Sequence, residues 1–307
     1  MNDAGPFLVT SEYRRFAEFC DACRHYRYIG LCHGPPGVGK TLSARRYAAW
    51  DRVEALSSVW QAEDDALAAC ADVDTVFYTP EIVNTPRSVE SGVTRLCTTL
   101  RNIREEPSRR MESAAAKARA EEERLRREEV MLKMDWFAPR PAEDDEPAAV
   151  PQFSAPVRQP PLSPARLILV DEADRLKVSS LEQLRDLFDR SATGLVLIGM
   201  PGIEKRLARY PQLYSRVGFV HAFRTLRAEE MRRLLTDHWP EMGREIPMTG
   251  ISDRDAVAAI IRITGGNFRL LHRLLSQIER VLVLNRLEVV TADVVEAARE
   301  SLVIGTA

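Results

Sequence analysis

Residues 34–41 read Gly34-Pro35-Pro36-Gly37-Val38-Gly39-Lys40-Thr41. Gly34, Gly39, Lys40 and Thr41 fill the pattern G-x-x-x-x-G-K-[ST] of a phosphate-binding loop. Glycines at these places let backbone N–H groups turn inward around phosphate oxygens. The lysine reaches the β- and γ-phosphates, and the threonine hydroxyl ligates Mg²⁺. The flanks agree with the motif. Tyr28 to Cys32 is a short apolar run that reads as a buried strand, and Leu42 to Trp50 reads as a helix. The helix adds its positive dipole end to the site. ATP and Mg²⁺ are therefore expected in a cradle made by Gly34, Pro35, Pro36, Gly37, Val38, Gly39, Lys40, Thr41 and Leu42.

Hydrolysis needs a second, acidic half. Residues 166–172 read Arg-Leu-Ile-Leu-Val-Asp-Glu. The apolar run Leu167 to Val170 reads as a buried parallel strand, and its acids stand at the C-terminal end, where ligands bind in open α/β sheets. Asp171 is expected to hold Mg²⁺ with Thr41, and Glu172 to activate the attacking water as general base. The string Asp171-Glu172-Ala173-Asp174 invites a helicase reading, but the chain beyond residue 172 is too short for a second domain of that kind with its motifs.

The 307 residues leave room for one α/β domain and a smaller one, and 45% hydrophobic content is that of a globular protein. A net charge of −2 does not exclude nucleic acid, because a basic surface can be local. There is no apolar stretch of membrane-spanning length and no signal-peptide pattern, so a cytoplasmic protein without a membrane role is expected. Cys20 and Cys23 have C-x-x-C spacing, but no second pair follows. Ordinary buried thiols are the favoured reading over zinc or redox use.

The remaining pattern alternates strands and helices, which predicts a mostly parallel sheet. Ser11 to Arg27 reads as an amphipathic helix with Ser11 as its cap. The strands expected next are Thr75 to Tyr78, Arg166 to Val170 and Gly194 to Gly199. Ser88 to Ile103 and Ser180 to Ser191 read as helices, and Glu63 to Ala71 has no clear form. Arg109 to Lys133 reads as a separate solvated helix laced with i,i+4 ion pairs. Ala138 to Pro164 holds eight of the 18 prolines and the acidic run Glu143-Asp144-Asp145-Glu146, and it reads as a linker. From Arg227 onward the expectation is all helix: Ala228 to His238, Asp253 to Thr264, Phe268 to Asn285 and Thr291 to Ser301. The expected division is residues 1–106 and 165–225 for the α/β domain, 107–164 for an insertion in a surface loop, and 226–307 for a helical lid.

A P-loop α/β domain followed by a helical lid resembles the AAA+ ATPases. Gly265-Gly266-Asn267-Phe268-Arg269 is similar to their sensor-two motif. The resemblance implies that Arg269 touches the γ-phosphate from the start of a lid helix, where Asn267 can cap. Gly199 to Leu207 and Tyr210 to Val217 resemble the TniB/TnsC-like transposition ATPases, relatives of MuB and IstB. That family implies an ATP-dependent regulator that oligomerises as a ring or filament on duplex DNA, with ATP at subunit interfaces, and recruits or activates a transposase. It also implies an arginine finger at Arg216, acting in trans, with Arg206 and Arg209 as rivals. DNA contacts are implied at Thr85, Arg87, Ser88 and Arg95, all of the phosphate-positioning kind. The sensor-one place holds Gly199 and Met200 instead of a polar residue, which points to slow hydrolysis. The alternatives are a replication initiator or helicase-loader-like ATPase, and a nucleotide-gated interaction scaffold without DNA.

Overall fold

A computed structural model of the chain describes residues 7–59, 62–133, 165–237 and 253–302. The expected linker, Ala138 to Pro164, lies outside the described residues. Helix α1, Ser11–Tyr26, is capped one residue earlier than expected: the Thr10 hydroxyl accepts the Tyr13 N–H at 3.1 Å. Its face of Phe16, Phe19, Cys20 and Cys23 is buried against the sheet. Strand β1, Ile29–His33, runs into the glycine loop and then α2, Lys40–Tyr47. The helix expected to reach Trp50 stops short, because Ala49 takes a left-handed conformation (φ 48°) and starts α3, Trp50–Ser57. Helix α4, Asp64–Ala68, resolves the stretch whose form was open.

Strand β2, Thr75–Tyr78, is followed by α5, Pro86–Lys133, a single helix of 48 residues. Proline at its first position suits a helix start. Two helices were expected here, separated near residue 107, but α5 continues through Pro107. Its first half is held by burial of Val89, Val93, Leu100 and Ile103. From residue 111 to residue 129 every position is exposed. Pairs such as Arg127 with Glu123 and Arg124 with Glu121 decorate this half. At 1.5 Å per residue, α5 is about 72 Å long. The first half of the expected surface-loop insertion is thus the outer end of a helix rooted on the sheet.

Strand β3, Leu167–Val170, leads through a 3-10 turn, Ala173–Arg175, to α6, Val178–Arg190, and β4, Gly194–Gly199. Short helices α7, Ile203–Leu207, and α8, Pro211–Tyr214, precede β5, Val217–Ala222, a strand not among the expected elements. The order β2-β3-β4-β1-β5 is parallel at every pairing. All five C-terminal ends therefore face one side, and apolar side chains fill both faces of the sheet. A separate core is made by α9, Ala228–Asp237, α10, Arg254–Thr264, α11, Phe268–Asn285, and α12, Ala292–Glu300. Asp253, Asn267 and Thr291 cap the last three of these helices with their side chains. No helix among the described residues is long and apolar enough to cross a membrane.

Candidate functional site

The glycine loop lies between β1 and α2 at the C-terminal end of the sheet. Gly37 and Gly39 have φ of 78° and 101°, conformations that a side chain would strain. At Gly37 a Cβ would also stand 2.6 Å from Asn267 Oδ1. That crowding comes from the lid. The Arg269 N–H donates to the Gly37 carbonyl at 3.1 Å, and the Asn267 amide donates to the Pro36 carbonyl at 2.8 Å. The first turn of α11 is thereby docked onto the loop. A cleft of about 690 Å³ opens beside it, lined among others by Lys40, Thr41, Asp171, Glu172, Met200 and Arg269.

Thr41 and Asp171 are 130 residues apart in sequence, yet the Thr41 hydroxyl donates to Asp171 Oδ2 at 2.6 Å. The other Asp171 oxygen accepts the Glu172 N–H at 2.9 Å. Burial pushes the Asp171 carboxyl up, offset in part by the Thr41 hydrogen bond. Lys40 is shifted down, again chiefly by burial. Its ammonium folds back onto the Gly34 and Pro35 carbonyls at 2.6 and 2.8 Å. A half-buried cation and a buried anion, each disfavoured in its charged form, are offset by a ligand bearing the complementary charges. Thr41 and Asp171 offer hard oxygens to the cleft, which suits Mg²⁺ bound by one or two protein groups with phosphates and water completing its shell. No cluster of three or more His, Cys, Asp or Glu among the described residues could hold a metal ion alone.

Of the other residues singled out in the sequence, Val38 is buried under the loop and Leu42 is exposed on α2. Arg206 donates to the main-chain carbonyls of Asp174, at 2.8 Å, and of Leu176, so its guanidinium is engaged within its own chain. Arg216 lies just before β5, at the opposite end of the sheet from the loop. Its Nε meets Asp189 Oδ1 at 2.6 Å. Five residues of β1 separate the two ends by about 16 Å, so Arg216 does not share the cleft of its own chain. Arg209 is exposed. Thr85 and Ser88 are engaged with each other: each side chain accepts the other's N–H, at 3.1 and 2.9 Å, which caps α5. Arg87 and Arg95 are exposed beside a groove of about 600 Å³ along α5, with Ser91, Thr94 and Thr98 between and beyond them. Cys20 and Cys23 are buried in the core, and burial pushes the Cys23 thiol up to about 12.

Asp174, Asn267 and Arg175 were not read as site residues. Asp174 Oδ2 accepts the Met200 N–H at 2.6 Å, and a Cβ on Gly199 would meet the same oxygen at 2.6 Å. The carboxylate of Asp174 thus crowds residue 199, the place where the resembled family carries a polar side chain. The signal was present in the string Asp171-Glu172-Ala173-Asp174.

A family model described as "AAA domain" matches residues 23–207. The chain belongs to this family of P-loop ATPases. A Staphylococcus aureus protein described as "Potential ATP-binding protein" is 39% identical over 302 residues, 97% of each chain. Among solved structures, the Thermotoga maritima RuvB Holliday junction branch migration motor superposes with a TM-score of 0.51 at 13% identity. The match covers 96% of this chain and 70% of that one. The Aeropyrum pernix ORC1 protein in complex with DNA gives a TM-score of 0.51 at 16% identity, over 98% and 67% of the two chains. At such identities these two likenesses concern the fold alone.

Proposed function

We propose that the protein is an ATP-hydrolysing switch that assembles on duplex DNA, without reading its sequence, and recruits or activates a transposase. The observation that carries the nucleotide half is the 2.6 Å bond between Thr41 and Asp171 below a glycine loop on which the lid helix is docked. Mg²⁺ held by Thr41 and Asp171 would neutralise charge on the phosphates. Lys40 exchanges its two carbonyl partners for phosphate oxygens, and the backbone of residues 34–39 wraps the rest. Glu172 takes the proton of the attacking water. Arg269 stands at the α11 N-terminus to contact the γ-phosphate. Arg216, about a strand's length from its own loop, is suited to the nucleotide of a second copy in an oligomer. Gly199 and Met200 leave water positioning to fewer polar groups, which favours slow turnover.

The DNA half rests on the face of α5 that carries Arg87, Ser91, Thr94, Arg95 and Thr98, all exposed or near the groove. Hydroxyls and guanidinium groups spaced along a helix suit phosphates on successive nucleotides. Thr85 and Ser88 cap α5 and would contribute through their remaining hydrogen-bonding capacity. Aeropyrum pernix ORC1, of the same fold, was solved with DNA. A functional division into α/β domain (1–106 and 165–225), insertion (107–164) and lid (226–307) accompanies this reading. The exposed outer half of α5 favours a second reading, a nucleotide-gated scaffold that binds protein alone. Electron microscopy with duplex DNA, with and without a non-hydrolysable ATP analogue, separates the two. Rings or filaments that need both DNA and nucleotide are expected. Assemblies indifferent to DNA would replace the first reading with the second.

A further inference from the structure

Arg175, Arg269 and Arg273 all line the cleft, but they are held differently. The Arg175 guanidinium is engaged by the Glu172 carboxylate and, at 3.1 Å, by the Pro80 carbonyl. The guanidinium groups of Arg269 and Arg273 have no hydrogen-bond or ion-pair partner among the described residues. These two stand at i and i+4 on α11, so their Cβ atoms are about 6 Å apart on one side of the helix. Elsewhere that spacing joins opposite charges: Arg109 with Glu105, Arg127 with Glu123, and Arg185 with Asp189. Two like charges so placed oppose helix formation. Packing does not require them, since α11 is anchored by Leu271, Leu274, Leu275 and Ile278, whereas Arg269 and Arg273 are exposed.

The docking of α11 fixes where each arginine stands along the cleft. The Arg269 N–H donates to the Gly37 carbonyl at 3.1 Å, and a Cβ on Gly37 would come within 2.8 Å of the Arg269 Cβ. Arg269 therefore starts at the glycine loop. Arg273 lies one helical turn, about 5.4 Å, further along. We propose that Arg273 is a specificity-determining residue: it adds a second guanidinium to the terminal phosphate and makes the cleft select nucleoside triphosphate over diphosphate. The proposal rests on the cleft holding the phosphates of a nucleotide. A planar guanidinium donates to two oxygens of one phosphate, so Arg269 grips from the loop side and Arg273 from a turn further out. The terminal phosphate also offsets the repulsion between the two arginines. A diphosphate ends nearer the loop and leaves Arg273 without an oxygen.

The test is equilibrium titration of a fluorescent non-hydrolysable ATP analogue and a fluorescent ADP analogue, each with Mg²⁺, into wild type, Arg273→Ala and Arg273→Lys. Melting temperature is recorded for each variant as the check on folding. Arg273→Ala is expected to weaken the ATP analogue about tenfold, the scale of one charge-assisted hydrogen bond, and the ADP analogue by less than about twofold. Arg273→Lys keeps the charge, loses the planar fork and should fall between wild type and Ala. Wild type that holds both analogues equally overturns the proposal. So does an unchanged ratio of the two affinities in Arg273→Ala. If both affinities hold, Arg273 is a solvated charge; if both fall together, it is a structural partner of the acids across the cleft. Wild type that binds neither analogue removes the nucleotide reading itself, a failure visible before any variant is made.

Discussion

The two ends of the sheet hold charge in opposite ways. At the C-terminal end, Lys40 and Asp171 are desolvated, and each is pushed toward its neutral form by burial. At the N-terminal end, Glu182, Arg185, Asp189 and Arg216 form a chain of partly exposed ion pairs. Burial commits a charge: its partner must be supplied, and its removal is costly. A surface pair contributes little and is readily exchanged for another. The buried end is thus suited to grip a ligand, and the surface end to offer an arginine to a second molecule.

The largest expected effect lies at the buried end. Lys40→Ala should weaken ATP binding by about a hundredfold or more, the scale of a lost charge-assisted contact. Titration of a fluorescent ATP analogue measures it. Wild-type affinity would erase the contrast between the ends, because a desolvated lysine would then be doing no more than a surface one.

An intermediate effect belongs to the surface end. Arg216→Ala should bind ATP normally yet turn over poorly, and Glu172→Gln should bind without turnover. Mixed in equal parts, the two should regain about a quarter of wild-type turnover, the share of head-to-tail contacts that joins an intact Glu172 to an intact Arg216. Failure to regain any activity at any ratio would confine Arg216 to its pair with Asp189.

What the sequence disclosed follows the same division. Strands β2 and β4 and helix α11 have the bounds read from the pattern, because continuous apolar runs and a capping Asn267 announce buried elements. Strand β5 escaped: as an edge strand, it is alternately half-buried and exposed, and Gly218 interrupts its apolar signal. Helix α5 was divided at the change from apolar to charged composition. The backbone follows a different rule, since an interior proline removes one hydrogen bond and a long helix can absorb that. In the site, the glycine loop and Asp171 were legible because their chemistry fixes residue type and spacing. The link from Arg175 to Pro80 spans 95 positions and ends on a carbonyl, which no residue type marks.

The smallest expected effect discriminates most finely between the two ends. Asp189 accepts from Arg216 at 2.6 Å and from Arg185 at 2.8 Å, and its side chain is 30% exposed. Asp189→Ala should lower the melting temperature by no more than about 2–4 °C, since a surface pair is worth at most about 1 kcal/mol. Nucleotide affinity should not change, because the substitution is a sheet's length from the loop. Arg216 keeps a bond to the Gln212 carbonyl and loses its carboxylate. If that guanidinium serves a second copy, the protein concentration giving half-maximal turnover should fall. A drop in melting temperature well beyond this range would mean that the cluster fastens β5 to α6 as a structural joint. An arginine needed for such a joint is not free to leave it, and the surface end would then resemble the buried one.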